Sequence, residues 1–460
     1  MEYIHIYHTN DLHSHFDHWP RIQQFLTSRK KLHREQGEEV LLFDIGDHAD
    51  RWHPYTEGTR GKGNTELLNR AGYDAVAIGN NEGITFSHED LDSLYEQADF
   101  DVLAANLYRK DGTRPDWAKP FTIKTTKSGT RIGLIGLTAY FSHLYELLGW
   151  KLTEPLEELR RQVEVLKNET DLIFILSHLG LHEDERIARE FPEVDIILGA
   201  HTHHVLHEGK TVAGRLLCGA GKYGFYVGQV TIEFSPQEKQ IVQKTARLYD
   251  TNELSQADQE QQWAEELFIQ GKELLNNTVT ILPEPIHTDH FKPSPLPQIL
   301  VEALREWCKA DCAFLNAGLL LHDLPAGPLT EYDLLKVCPH PINPCVIELS
   351  GSELKEIINQ TFDEKWPHLQ IVGLGFRGTV MGRMEYDGIS IIVHKGVKKI
   401  YIQNREIKPD AFYKLAVPDM FTFGRLFPGL FRAEHKKYFL PEFLRDLLGW
   451  KLAELHRVTE

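Results

Sequence analysis

Residues 4–13 read Ile4-His5-Ile6-Tyr7-His8-Thr9-Asn10-Asp11-Leu12-His13, a strand-like run at 4–7 followed by two ligand-type side chains, Asp11 and His13. The run suits a strand, and Asp11 and His13 lie a few residues beyond it. The same grammar returns along the first half of the chain. Residues 40–43 precede Asp47, 75–78 precede Asn80, 172–176 precede His178, and 196–198 precede His201 and His203. Further apolar runs lie at 102–104 and 132–137, with helix-compatible stretches such as 155–167 and 183–190 among them. Two alternating runs, 227–234 and 241–248, close this half. Strand and helix signals in alternation predict α/β layers. In such folds the carboxyl ends of strands converge on one edge, where ligands bind.

Aspartate, histidine and asparagine gathered at one edge suit borderline divalent cations. Two cations about 3.5–4 Å apart clamp the attacking and leaving oxygens of phosphoryl transfer and activate a water. Such a pair needs a shared anionic ligand, and Asp47 is the natural bridge because both carboxylate oxygens can bind. Asp11, His13 and His203 then complete one site, and Asn80, His178 and His201 the other. The chain has 24 histidines, so any one of them says little. The inference comes from their order at strand ends. The expected cofactor is two divalent ions drawn from Mn, Zn, Co or Fe.

The texture changes after residue 250. Residues 256–275 are polar and helical in pattern, and Pro283, Pro285, Pro293, Pro295 and Pro297 follow. This segment, 251–285, is expected to be an interdomain helix and linker. Beyond it, helical stretches (298–309, 351–362) mix with strands (344–349, 389–393, 399–402, 413–417), an α+β pattern.

The blocks of the first half resemble the calcineurin-like metallophosphoesterases, whose motifs run Asp-x-His, Gly-Asp, Gly-Asn-His-Glu, a lone His and Gly-His-x-His. Gly72-Tyr73-Asp74-Ala75-Val76-Ala77-Ile78-Gly79-Asn80 is similar to the lead-in of the 5′-nucleotidase branch. The resemblance implies a four-layer α/β sandwich over 1–250 and a metal-dependent phosphoric ester hydrolase. Residues 314–318, 327–335, 339–343 and 348–354 resemble the 5′-nucleotidase C-terminal domain, implying an α+β substrate-binding domain over 286–460. Asn316 and the stretch 373–378 survive from that domain's substrate blocks, and the late aromatic block is not recognisable near 421–427. The candidates for substrate binding are Asn316, His340, and Phe376 and Phe427 as aromatics able to stack a base.

Departures from the family pattern bear on chemistry. Asn81 stands where the family carries His in Gly79-Asn80-Asn81-Glu82, and Ile84 stands where 5′-nucleotidases place the Asp partner of that His. Asparagine donates a hydrogen bond but delivers no proton at neutral pH. Loss of a general acid removes about 10²–10⁴ in rate unless the leaving group is good or another group substitutes. His15, His48, His53, His88 and His143 are the candidates for that substitution. Leu321 occupies the place of a substrate-holding Arg, and His340 that of a base-stacking aromatic. The expected activity is nucleotide phosphohydrolysis. The alternatives are a cyclic-nucleotide or dinucleotide phosphodiesterase and a catalytically weakened metal-binding sensor.

Composition narrows the partners. The formal net charge is -17 over 460 residues, which disfavours a nucleic-acid polymer. A small phosphorylated substrate remains compatible where cations neutralise it locally. No apolar run approaches the roughly 20 residues that span a bilayer. The five cysteines are few and odd in number, and the first residues lack a signal-peptide pattern. The expected setting is a cytoplasm, with no membrane partner.

Overall fold

The computed structural model describes residues 1–394, 397–424 and 426–457. The chain divides into two units, Met1–Gly271 and Lys272–Glu460. The division falls within the helix Glu260–Leu274, inside the 251–285 segment.

The first unit is built on two sheets. Seven strands form one, in the order Gln240–Asp250, Tyr226–Ser235, Glu2–Thr9, Glu39–Asp44, Ala75–Ala77, Asp101–Leu103, Ala118–Lys119. Six form the other: Lys210–Val212, Arg215–Cys218, Ile196–Gly199, Leu172–Ser177, Arg131–Leu137, Phe121–Thr125. The central strands of both are parallel, and Glu39–Asp44, Ala75–Ala77, Arg131–Leu137, Leu172–Ser177 and Ile196–Gly199 are accordingly apolar on both faces over most of their length. Ile4, Ile6 and Phe43 of the first sheet share a core with Leu134, Phe174 and Leu198 of the second. Behind the second sheet, Leu159 and Val163 of helix Pro155–Leu166 and Ile187 of helix Leu181–Glu190 pack on Ile135 and Ile175. Behind the first, helix Trp19–Glu35 buries Trp19, Ile22 and Leu26, and Phe25 meets the ring of Tyr7 edge-on. The alternation Ile4, Ile6 against His5, Tyr7 thus feeds two different layers. The result is a helix–sheet–sheet–helix sandwich.

Register brings the functional loops together. Thr9 lies beside Asp44 and Asp44 beside Val76 in one sheet, and Ser177 lies beside Gly199 in the other. Every ligand candidate therefore leaves its strand at the same edge.

The second unit carries a five-stranded sheet in the order Met384–Asp387, Cys312–Asn316, Phe412–Pro418, Pro344–Ser350, Lys436–Tyr438. All its pairs are antiparallel except Cys312–Asn316 with Phe412–Pro418. Helices Pro295–Cys308, Gly351–Gln360 and Leu444–Leu455 bury Leu300, Leu304, Leu354, Ile358, Leu447 and Leu448 in its core. This is an α+β arrangement.

Candidate metal centre

The loops after the first two strands run side by side and extend the ladder past the strand ends. Asp11 N–H donates to Gly46 O at 3.0 Å, His13 N–H to Asp47 O at 2.8 Å, and Ser14 N–H to His48 O at 3.0 Å. Asn80 opens the helix Asn80–Thr85, His178 directly follows Leu172–Ser177, and His201 and His203 follow Ile196–Gly199. Backbone strain concentrates here. Asp11, His13, Asp47, His201 and His203 all have positive φ, between 49° and 69°. Each such residue costs of order 1–3 kcal/mol, which persists only where the surroundings over-determine it. Five of the seven ligand candidates bear that cost.

The side chains converge. Asp11 Oδ1 lies 3.4 Å from His203 Nε2, 3.8 Å from His13 Nε2 and 4.0 Å from His178 Nε2. Asp47 Oδ2 stands between the two sets, 3.4 Å from His178 Nε2 and 3.7 Å from His13 Nε2. His13 Nε2 and His203 Nε2 are 3.3 Å apart. The ring of His201 lies 5.3 Å from that of His178, and its backbone N–H donates to the Asp11 carboxylate. Ligand atoms bound at about 2.1 Å in tetrahedral array sit about 3.4 Å from one another, so this spacing fits cation ligands.

Two further observations fit a cation. Asn80 Oδ1 and His178 Nε2 are buried polar atoms without a hydrogen-bond partner, a costly state that ligation relieves. The electrostatics agree. Burial opposes the charged form of His178, yet Asp47 and Asp11 outweigh it and push its pKa up to about 10. Burial likewise opposes protonation of His13, and Asp50, Asp47 and Asp11 still raise it. Burial works to raise Asp47, but His178 and His13 hold it well below the usual carboxylate range. Burial and the neighbouring His178 push His201 the other way, down to about 4, so the two carboxylates draw positive charge to His178 and His13 in particular.

Residues not anticipated from the sequence hold this frame. Glu82 Oε2 accepts the N–H groups of Asp47 and Gly79, both at 2.9 Å, and Oε1 accepts that of Ala49 at 2.8 Å. One carboxylate thereby ties the Asp47 loop to the Asn80 helix. Burial and Asp47 push its pKa up to about 7. Asn10 Nδ2 donates to Asp11 Oδ2 and to Gly221 O, both at 2.8 Å. Asp50 Oδ2 lies 3.2 Å from His13 Nδ1, and His178 Nδ1 donates to Ile45 O at 2.7 Å. Such partners fix ring orientation and leave Nε2 for the cation. The signals available in sequence were the Glu that closes the block Gly79-Asn80-Asn81-Glu82 and, for Asp50 and Asn10, proximity to Asp47 and Asp11.

Asn81 is 7% exposed and belongs to the ligand frame: its N–H donates to Asp47 Oδ1 at 2.7 Å. Among the histidines weighed as its substitutes, His15 connects to the ligand set through Tyr223, whose ring lies 3.9 Å from His15 and 5.8 Å from His13. His48 and His53 are pushed down to about 3 by burial. His88 stacks on Trp150 at 4.1 Å.

In the second unit Asn316, His340 and Phe427 are 0% exposed and Phe376 is 4% exposed. His340 uses both ring nitrogens, one accepting from Arg377 N–H and the other donating to Leu319 O, and stacks on Phe376. Phe427 packs against Trp366 and Phe421. As placed, these side chains belong to the core of their unit.

A second group of ligand-type residues, His5, His33 and Glu38, lies at the opposite end of the same sheet. Its donors and acceptors are already matched. Gln229 Oε1 accepts from Arg247 and Tyr249, so its Nε2 faces His5 Nδ1, and His5 Nε2–H is left to donate to Glu38 at 2.9 Å. The two rings stack at 3.7 Å, so their in-plane lone pairs do not converge on one ion. This is a satisfied polar network.

With this geometry in place, comparison with known proteins identifies the class. Residues 4–205 match the calcineurin-like phosphoesterase family model, and residues 277–426 match the 5′-nucleotidase C-terminal domain. The chain belongs to the calcineurin-like metallophosphoesterases that carry a 5′-nucleotidase C-terminal domain, a family of phosphoester hydrolases. It is 44% identical over 462 residues to the uncharacterized metallophosphoesterase YunD of Bacillus subtilis, covering 98% of this chain and 100% of that one. It is 25% identical over 485 residues to a 5′-nucleotidase of Vibrio cholerae, covering 91% and 84%. In fold it matches the 5′-nucleotidase precursor of Thermus thermophilus with a TM-score of 0.61 at 20% identity, over 99% of this chain and 97% of that one.

Proposed function

We propose that the protein is a dinuclear-metal phosphohydrolase acting on small nucleotides, with Asp47 shared between the two cations. Asp11, His13 and His203 hold one cation, and Asn80, His178 and His201 hold the other. The observation that carries this is the convergence of the aspartate and histidine side chains, with His178 Nε2 buried and unpaired beside the Asp47 and Asp11 carboxylates and Asn80 Oδ1 likewise buried without a partner. Bound there, a pair of divalent cations supplies an activated water and charge neutralisation for the phosphoryl group. The chain's own part is orientation. Asp50 fixes the ring of His13, the Ile45 carbonyl fixes that of His178, and Glu82 holds both ligand loops in register. Relatives named 5′-nucleotidase support the nucleotide class.

Phosphodiester hydrolysis is favoured as a second activity by Asn81, which cannot protonate a poor leaving group. The substrate is a small molecule rather than a polymer, in keeping with the net charge of -17. No helix among the described residues is long and apolar enough to cross a membrane. A cytoplasmic setting is part of this proposal, supported by five buried free cysteines.

The test uses purified full-length chain, stripped and reloaded with Mn²⁺, Co²⁺ or Zn²⁺, on panels of nucleoside monophosphates, cyclic nucleotides and aryl phosphates. Hydrolysis is expected with metal and absent with chelator. Equal rates in chelator, or no turnover on any panel with any of the three ions, would falsify the proposal.

A further inference from the structure

Asn81 touches ligands assigned to both halves of the centre. Its backbone N–H donates to Asp47 Oδ1 at 2.7 Å. Its side-chain Oδ1 accepts from Asn80 Nδ2 at 3.3 Å, and its Nδ2 faces His13 Nδ1 at 2.8 Å. Thr85 Oγ1 anchors its carbonyl at 2.6 Å, so the residue is held at both ends.

We propose that Asn81 is a positioning residue that sets the two cation sites against each other, aiming Asn80 while opposing His13. The proposal rests on the two-cation centre above. A count of donors and acceptors leads to it. Asn80 ligates through oxygen, and its Oδ1 is the atom left unpaired, so its NH₂ must point away. The acceptor found there is Asn81 Oδ1. That choice turns the NH₂ of Asn81 toward His13 Nδ1. His13 aims Nε2 at Asp11, Asp47 and His203. When Nε2 gives its lone pair to a cation, the ring hydrogen sits on Nδ1 and needs an acceptor. Asp50 Oδ2 offers one at 3.2 Å, whereas the Asn81 NH₂ is a second donor at 2.8 Å. Reversing the amide would serve His13 and turn the NH₂ of Asn80 into the ligand cavity. An amide has one accepting end and one donating end, so it cannot satisfy both neighbours. A carboxylate accepts at both.

The experiment is calorimetric titration of metal-free full-length chain with Mn²⁺. His13→Ala and His178→Ala each delete one half and so assign the two binding steps. Asn81→Ala is expected to weaken the Asn80 step by about tenfold, the effect of losing a ligand's hydrogen-bond partner. The same variant leaves the His13 step unchanged or tighter. A residue with a merely structural role would weaken both in parallel. Asn81→Asp is expected to tighten the His13 step by about tenfold or more. Added charge is controlled by the pair Asp50→Asn with Asn81→Asp, which keeps net charge and moves the carboxylate across His13 Nδ1. Asp50→Asn alone should lose about tenfold at the His13 step, and the pair should return it to within about threefold of the parent.

Parallel shifts or no shift in Asn81→Ala overturn the proposal, as does a double variant no better than Asp50→Asn. If Asn81→Asp does not fold, the Asn81→Ala result decides alone. A parent chain that takes up fewer than two Mn²⁺ defeats the two-cation centre itself. Two bound Mn²⁺ with unresponsive variants defeats only the role of Asn81.

Discussion

An alanine at position 79 would press its methyl group into the frame that holds Asp47. Gly79 has φ −95° and ψ −175°, a conformation open to any residue, so the substitution tests space alone. A Cβ there would stand 2.0 Å from Asp47 Oδ1 and 2.5 Å from the Asp47 backbone nitrogen. Ordinary contact needs about 3.5 Å, so the carboxylate must retreat by roughly 1.5 Å. It is not free to do so, because Oδ1 accepts the Asn81 N–H and Glu82 holds the Asp47 N–H. Breaking the charged bond to Asn81 costs about 1.5–3 kcal/mol. Overpacking adds about 1–3 kcal/mol. Gly79→Ala should therefore lose about 2.5–6 kcal/mol of stability in urea unfolding of the metal-free chain. A ligand displaced by more than about 1 Å should also lose on the order of a hundredfold in Mn²⁺-dependent turnover. A variant that unfolds like the parent and binds Mn²⁺ equally well would refute the placement of Asp47 against Gly79.

Two further outcomes follow from the same structure. Asn81→His restores a proton donor, so the ratio of rates on poor against good leaving groups should rise by at least about tenfold. An unchanged ratio in a parallel series of alkyl and aryl phosphates would mean that the proton comes from elsewhere. Burial pushes the Asp419 carboxyl up from 3.8 to about 8. Between those values the unfolded chain is ionised while the folded chain keeps its proton, so stability falls as pH rises and levels off above about 8. Asp419→Asn escapes that loss. It should gain up to about 4 kcal/mol at pH 7 and nothing at pH 3. A gain independent of pH in chemical denaturation would show that the carboxyl is not the cause.

Much of the first unit was readable before folding. The apolar runs at 4–7, 40–43, 132–137 and 172–176 became the strands Glu2–Thr9, Glu39–Asp44, Arg131–Leu137 and Leu172–Ser177. A buried parallel strand must be apolar on both faces, and that demand is local. The helix Pro155–Leu166 was visible for a similar reason, since its buried stripe repeats at helical spacing. Glu82, Asp50 and Asn10 were not singled out because each role needs at least one partner 33 to 211 residues away. No periodicity announces a carboxylate whose partners are backbone N–H groups of another loop. In the second unit motif order located Asn316 and His340, and Phe376 and Phe427 were offered as aromatics able to stack a base. A motif names residue types, and burial depends on what packs over them.

By itself, the sequence determined which segments become strands and which ligand-type side chains leave their ends. Both follow from interactions between residues close along the chain. Tertiary structure alone decided that Asp47 stands between His13 and His178, that one glutamate clasps two loops, and that Asn81 touches Asp47, Asn80 and His13 at once. Those distances of a few ångströms come from register between strands and from loops forced to positive φ. They exist only once two sheets have closed on a shared core.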